Sequence, residues 1–134
     1  MTALDAAAST DPGQVRAQNQ DTYYVSSDLV LIADGMGGYA GGEVAAAIAA
    51  EVMEERFTAD TTAQGLSAAV QSANRRIYER GVEPGLEGMG TTLVAVAVVE
   101  EEPSRLLLAN VGDSRCYRLR AGALRQLTED HSVA

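Results

Sequence analysis

Apolar residues fall along this chain in two rhythms, and each predicts a different element. Thr22-Tyr23-Tyr24-Val25 is β-branched and aromatic and predicts a strand. Leu29-Val30-Leu31-Ile32-Ala33 is an unbroken apolar run that stops at Asp34, the pattern of a strand covered on both faces. Thr91 to Val99 and Leu106 to Val111 read the same way. Cys116 to Arg120 alternates, which predicts one wet face, and Leu124 to Leu127 continues it beyond an Ala121-Gly122 hairpin turn. The short Ala-rich stretch at 2–9 is a candidate first strand.

The second rhythm is helical. Val44, Ile48 and Val52 recur every four residues, with Ala45, Ala49, Met53 and Phe57 beside them, so an amphipathic helix is expected from Glu43. A second helix carries Leu66, Ala69, Val70, Ala73 and Ile77 on one stripe, with Asp60 or Thr61 as its cap and Gly81 as its stop. The two predict an antiparallel hairpin. Between strand and helix, five glycines in positions 35–42 argue against any regular element there. Strands, two helices, then strands again suggest sheet packed on sheet with helices outside, rather than alternating βαβ units.

At 134 residues the chain is one domain's worth of sequence. With 19 acidic residues against 10 arginines and no lysine, its net charge of −9 makes a nucleic-acid backbone or an anionic membrane a poor partner. No apolar run reaches the ~20 residues of a membrane span, and no signal peptide is evident. Cys116 is alone, so no internal disulfide forms and a cytoplasmic setting fits.

Four places could carry chemistry. Asp34-Gly35-Met36-Gly37-Gly38 sets a carboxylate at the end of a buried strand, where each oxygen can serve one hard cation. Gly35, lacking a Cβ, lets its carbonyl come close. The same residues also fit a plain strand-to-helix turn or a phosphate loop. Arg16, near Asn19, Gln20 and Asp21, can grip a phosphate with two parallel donors, or lie solvated beside a turn. Gly112-Asp113-Ser114-Arg115 is a second acidic turn after a strand, and equally an ordinary β-turn. His131 is the only histidine, without a nucleophile to serve, and Cys116 reads as packing.

In this order these blocks resemble the metal-dependent (PPM, or type 2C) Ser/Thr protein phosphatases of the bacterial branch. The matching text is Ser9-Thr10-Asp11-x-Gly13-x-x-Arg16-x-x-Asn19-x-Asp21, Val30-x-Ile32-Ala33-Asp34-Gly35-Met36-Gly37-Gly38, Met89-Gly90-Thr91-Thr92, Asn110-Val111-Gly112-Asp113-Ser114-Arg115 and Thr128-x-Asp130-His131-Ser132. The resemblance implies an α+β fold, a four-layer α-β-β-α sandwich of two antiparallel sheets flanked by helix pairs, of which residues 1–134 would be the N-terminal part. It implies hydrolysis of phosphoserine and phosphothreonine on proteins by a water bridging two Mg2+ or Mn2+ ions, with a third, weaker metal site. Asp34 matches the bridging ligand, Gly35 the residue whose carbonyl reaches the second ion, Asp21 a carboxylate near the metal waters, Asp113 the acid of the third site and Arg16 the substrate-phosphate binder. Implied partners are phosphorylated Ser/Thr proteins and an opposing Ser/Thr kinase.

Three departures qualify it. Gln20 stands where the family usually has Glu, which predicts weaker metal binding or a changed metal preference. Met36 replaces the histidine of some animal members. The family's two later metal-ligand aspartates find no counterpart before Ala134, so the chain is expected to be an incomplete catalytic domain that binds metal weakly, acts poorly and leaves apolar sheet surface bare. The alternative is a non-catalytic remnant or split half that binds phosphoproteins or a second chain.

Overall fold

A computed structural model describes residues 4–10, 20–37, 41–101 and 105–131. The order is β1 (Asp21–Val25), β2 (Leu29–Met36), α1 (Gly41–Ala59), α2 (Ala63–Arg80), β3 (Gly90–Thr91), β4 (Leu93–Val99), β5 (Arg105–Val111), β6 (Tyr117–Arg120) and β7 (Ala123–Gln126). One antiparallel sheet runs β1-β2-β4-β5, with β3 pairing the end of β2, and β6–β7 form a separate ribbon. The fold is α+β, with the helix pair on one face of the sheet.

Odd-numbered residues of β2 and β4 meet the helices. Leu29, Leu31, Leu93, Ala95, Ala97 and Val99 form one core with Ala50, Met53, Phe57, Leu66 and Ala69. Full burial of a side chain such as Phe57 or Leu31 is worth roughly 1.5–3 kcal/mol, so this seam holds the domain together. α1 packs on both the sheet and α2 and therefore buries a wide stripe, with Ala46 and Ala49 set against Ala33 of the sheet and Ile48 and Val52 against Ala73 and Ile77, while α2 reaches the sheet itself through Leu66 and Ala69. Phe57 packs with Leu66 near the connection and Ile48 with Ile77 farther away, so the helices are antiparallel, as their periodicity predicts.

The β1–β2 hairpin is closed at Ser26 to Leu29. Ser26 N–H donates to Leu29 O (2.9 Å), and the Ser26 hydroxyl accepts from Leu29 N–H (3.0 Å) while donating to Asp28 Oδ1 (2.8 Å). This sets the register from Val25 opposite Val30 to Asp21 opposite Asp34.

Several expectations need correction. Residues 4–10 form no strand; their backbone tie is Leu4 N–H to Ser27 O, and Ala-rich sequence lacks the branched side chains that favour a ladder. β2 runs on through Asp34 and Gly35 to Met36, because β3 supplies partners there. Its burial alternates, with Ile32 51% exposed, so among the described strands only β4 is covered on both faces. β5 is an edge strand and no more than half-buried.

The glycine run contains regular structure. Gly35 is in a strand, and Gly41 and Gly42 open α1. A Cβ on Gly35 would stand 1.9 Å from Gly42 O, so strand and helix touch backbone to backbone. The cap of α2 is Thr62, whose hydroxyl accepts from Gly65 N–H and donates to Asp60. Gly81 ends α2, its N–H bonding Ile77 O and Tyr78 O, at a right-handed φ of −67°. Thr92 breaks the expected long strand into β3 and β4. Ile32, Leu106, Leu119 and Leu124 are among the exposed large apolar side chains of the described residues.

Candidate active site

Antiparallel pairing places Asp21 directly opposite Asp34. Facing residues of such a pair hold their Cβ atoms about 4.5–5.5 Å apart on one side of the sheet, where like charges repel. Since Leu31, Ala33 and Gly35 face the helices, Asp34 and Asp21 share the outer face with Val30, Ile32 and Tyr23. Both acids are half-buried. Asp21 Oδ1 is fully buried and takes no hydrogen bond among the described residues, although the residue itself is engaged elsewhere. A cavity of about 360 Å3 lies beside it, lined by Ser9, Thr10, Asp21, Tyr23 and Ile32 among others.

Two facing carboxylates and main-chain carbonyls are hard oxygen donors, which suit Mg2+ or Mn2+ rather than a thiophilic metal. The residues present fit such ions in kind, but not in number: among the described residues no group of three or more His, Cys, Asp and Glu converges.

Each neighbour of Asp34 has a structural task. Gly35 N–H donates to Gln20 O (3.2 Å), which ties the strand before the site to the strand that carries it. The Gln20 side-chain amide donates to Gly37 O (3.3 Å), a bond that Glu could not make when ionised. Thr92 N–H donates to Asp34 O (2.9 Å), and the Thr92 hydroxyl accepts from Asp34 N–H (3.2 Å). The Thr92 and Ser114 hydroxyls are 2.6 Å apart, so the Gly112-to-Ser114 turn sits one side chain from Asp34. Asp113 lies exposed on that turn.

The 129–131 segment braces the same turn. His131 N–H donates to Gly112 O (2.9 Å) and Gly112 N–H donates to His131 Nδ1 (3.2 Å). Arg115 forks onto both Asp130 oxygens at 3.0 and 2.7 Å, which holds the Asp130 carboxyl below the usual range and the guanidinium above its own. Partial burial raises the Cys116 thiol, the opposite of what a nucleophile needs.

Of the residues singled out from sequence, Asp21, Asp34 and Gly35 come together, and Asp113 sits on the adjoining turn. Arg16 lies outside the described residues. Sequence reasoning missed Thr92 as a partner of Asp34; the signal available was a polar residue at the head of an otherwise apolar run.

The family model described as "Protein phosphatase 2C" matches residues 14–134. The chain is 45% identical over 132 residues to the serine/threonine protein phosphatase PstP of Mycobacterium tuberculosis, covering 95% of this chain and 25% of that protein. It is 39% identical over 138 residues to the serine/threonine phosphatase Stp of Listeria monocytogenes, covering 92% and 53%. The crystal structure of the PPM phosphatase MsPP of Mycobacterium smegmatis in complex with cacodylate superposes with a TM-score of 0.88 at 43% identity, over 98% of this chain and 55% of that one. That of the PstP catalytic domain in complex with two manganese ions gives 0.82 at 42% identity, over 92% and 54%. The chain thus spans between a quarter and about half of the proteins it matches. With the family model matching most of the chain and a solved PPM phosphatase superposing on nearly all of it, the chain belongs to the protein phosphatase 2C family.

Proposed function

We propose that residues 1–134 form the N-terminal part of a catalytic domain that hydrolyses phosphoserine and phosphothreonine on proteins. The observation that carries this is the pairing of Asp21 with Asp34 across β1 and β2, two acids placed opposite each other where an unshielded pair would be repulsive. Asp34 would hold two Mn2+ or Mg2+ ions, with Gly35 and Asp21 contributing to them and Asp113 to a third. Such ions, when bound, supply Lewis acidity, lower the pKa of water and neutralise phosphoryl oxygens. Monoester hydrolysis needs that help, since its uncatalysed rate calls for accelerations up to ~10²¹-fold. The protein's own share is placement: β1 and β2 set the two carboxylates opposite each other and Thr92 and Gln20 hold the surrounding backbone, while Arg16 would bind the substrate phosphate. Its substrates would be phosphoproteins of the cytoplasm, with a Ser/Thr kinase as the opposing enzyme.

A second reading is favoured by one observation, the lack of a group of three or more potential ligands among the described residues. On it, the chain is a phosphoprotein- or partner-binding module without turnover. One experiment separates the two. The full gene product is supplied with Mn2+ and a phosphothreonine peptide, and phosphate release is followed. The phosphatase reading expects turnover that Asp34→Asn abolishes. Peptide binding with no phosphate release supports the module, and turnover that survives Asp34→Asn overturns the assignment of Asp34.

A further inference from the structure

The pairing on either side of Asp34 places Thr92 opposite it: Ile32 faces Val94 and Gly35 faces Thr91, so Asp34 and Thr92 meet in the same register. A regular antiparallel pair of this kind exchanges two backbone bonds. Here only one is regular, Thr92 N–H to Asp34 O at 2.9 Å. Asp34 N–H goes instead to the Thr92 side-chain hydroxyl at 3.2 Å. The Thr92 carbonyl accepts from the Thr91 hydroxyl at 2.8 Å. A hydroxyl has therefore taken the place of a ladder carbonyl at the residue that carries the chemistry.

The substitution is held from behind. Thr92 is buried, 3% exposed, and its hydroxyl lies 2.6 Å from that of Ser114. A hydroxyl has one donor hydrogen and two acceptor positions, so Thr92 can accept from Asp34 N–H and still bond Ser114. The turn carrying Ser114 is seated on the same side chain. Gly112 has φ +102°, and a Cβ there would come within 2.8 Å of Thr92 Cγ2.

We propose that Thr92, oriented by Ser114, is the positioning residue of Asp34: its hydroxyl and its N–H pin the peptides on both sides of the Asp34 Cα and so aim the carboxylate. This rests on Asp34 being a metal ligand as proposed above. The two links are nevertheless separable, because the pinning is a property of the Asp34 amide whether or not metal binds. Thr92 touches neither ion nor substrate in this scheme and acts through Asp34 alone.

The test compares Thr92→Val, which keeps the shape and removes the hydroxyl, with Thr92→Ser and Ser114→Ala in the full gene product. Two quantities are read: Mn2+ affinity by calorimetry, and hydrogen exchange at the Asp34 amide, with the Leu31 amide as internal reference. Residues that orient a metal ligand typically change affinity by roughly 10–100-fold when removed. Thr92→Val is expected to weaken Mn2+ binding in that range and to speed exchange at Asp34 but not at Leu31. Thr92→Ser is expected to restore both, and Ser114→Ala to give a smaller shift in the same direction. At saturating Mn2+, KM for a phosphothreonine peptide should not move. Wild-type values in Thr92→Val overturn the proposal, as does failure of Thr92→Ser to restore them, which would assign the effect to methyl packing. If Thr92→Val does not fold, Ser114→Ala decides: an unchanged Asp34 exchange rate and Mn2+ affinity overturn it. If wild type and Asp34→Asn bind Mn2+ alike, the metal-ligand reading fails while the exchange data still decide whether Thr92 pins Asp34.

Discussion

Replacing Gly35 by alanine should separate the strand that carries Asp34 from the helix that supports it. The added Cβ would lie 1.9 Å from Gly42 O, 2.4 Å from Gly42 C and 2.9 Å from Gln20 O. All three are main-chain atoms, so no rotamer change relieves them. Reaching 3.0 Å, the floor for real Cβ contacts, requires the seam to open by about 1 Å. Overpacking of this kind costs about 1–3 kcal/mol. Glycine-to-alanine changes regain about 0.4–1 kcal/mol by restricting the unfolded chain. With rigid atoms on every side the cost falls at its upper end, which leaves a net loss of about 2 kcal/mol. For a domain of this size that lowers the melting temperature by roughly 6–10 °C. Alanine keeps the residue 35 carbonyl, so any loss of activity comes from displacement. A misplacement of about 1 Å can cost about 100-fold in rate. The assays are thermal melts and Mn2+-dependent phosphate release from a phosphothreonine peptide. Gly85→Ala is the control: at φ +86° with open space around it, it should lose some stability to backbone strain and no activity. A Gly35→Ala protein that melts within about 1 °C of wild type and turns over equally would refute the contact between β2 and α1.

The Arg115 fork predicts a pH dependence. Asp130 has a depressed pKa in the folded protein, so its contribution is complete above the ordinary aspartate value of about 3.9 and fades as pH falls through and below it. Melting curves of wild type and Asp130→Asn should therefore differ at pH 7 and draw together as the pH falls below the ordinary aspartate value; a gap constant with pH removes the idea. Gln20→Glu adds a negative charge beside the acidic pair and gives up the bond to Gly37 O, and calorimetric titration should show tighter Mn2+ binding. Equal affinities would show that residue 20 does not contact the metal's surroundings. On the ribbon, Arg118 and Arg125 face each other, and Arg118→Glu should raise the denaturant midpoint at low salt. The gain should shrink at about 1 M salt, where the screening length is about 3 Å.

Local composition pointed to candidate acids better than it showed what surrounds them. Asp34 stood out as a carboxylate ending an apolar run, but those residues alone fit a plain strand-to-helix turn equally well, and the ordered set of family motifs is what favours a metal ligand. Asp21 was legible only through the family motif, because its position opposite Asp34 depends on hairpin register. Register is set by the turn at Ser26 to Leu29, which composition does not encode directly. The helices were legible from their stripes, since the period of 3.6 is itself the packing geometry. The glycines were misread for a physical reason: the same residue serves a turn and a close backbone contact, and at Gly35 and Gly42 it serves the contact. Two-faced burial was assigned to β2 and β5 because an apolar run reports what a strand tolerates, not what covers it. Thr92 was hidden because its importance lies in which backbone amide its hydroxyl reaches.

The hairpin turn has one more implication. Side chains of a strand alternate between faces, and β2 is held in place by β4 and α1, so moving the β1–β2 pairing by a single residue would turn over the edge strand β1 and swing Asp21 toward the helices, away from Asp34. The bonds of the Ser26 hydroxyl to Asp28 and Leu29 are thus a distant selector: five residues from one acid and eight from the other, they decide whether the two acids share a face at all. Lengthening that tip by one residue would part the two acids without replacing either of them.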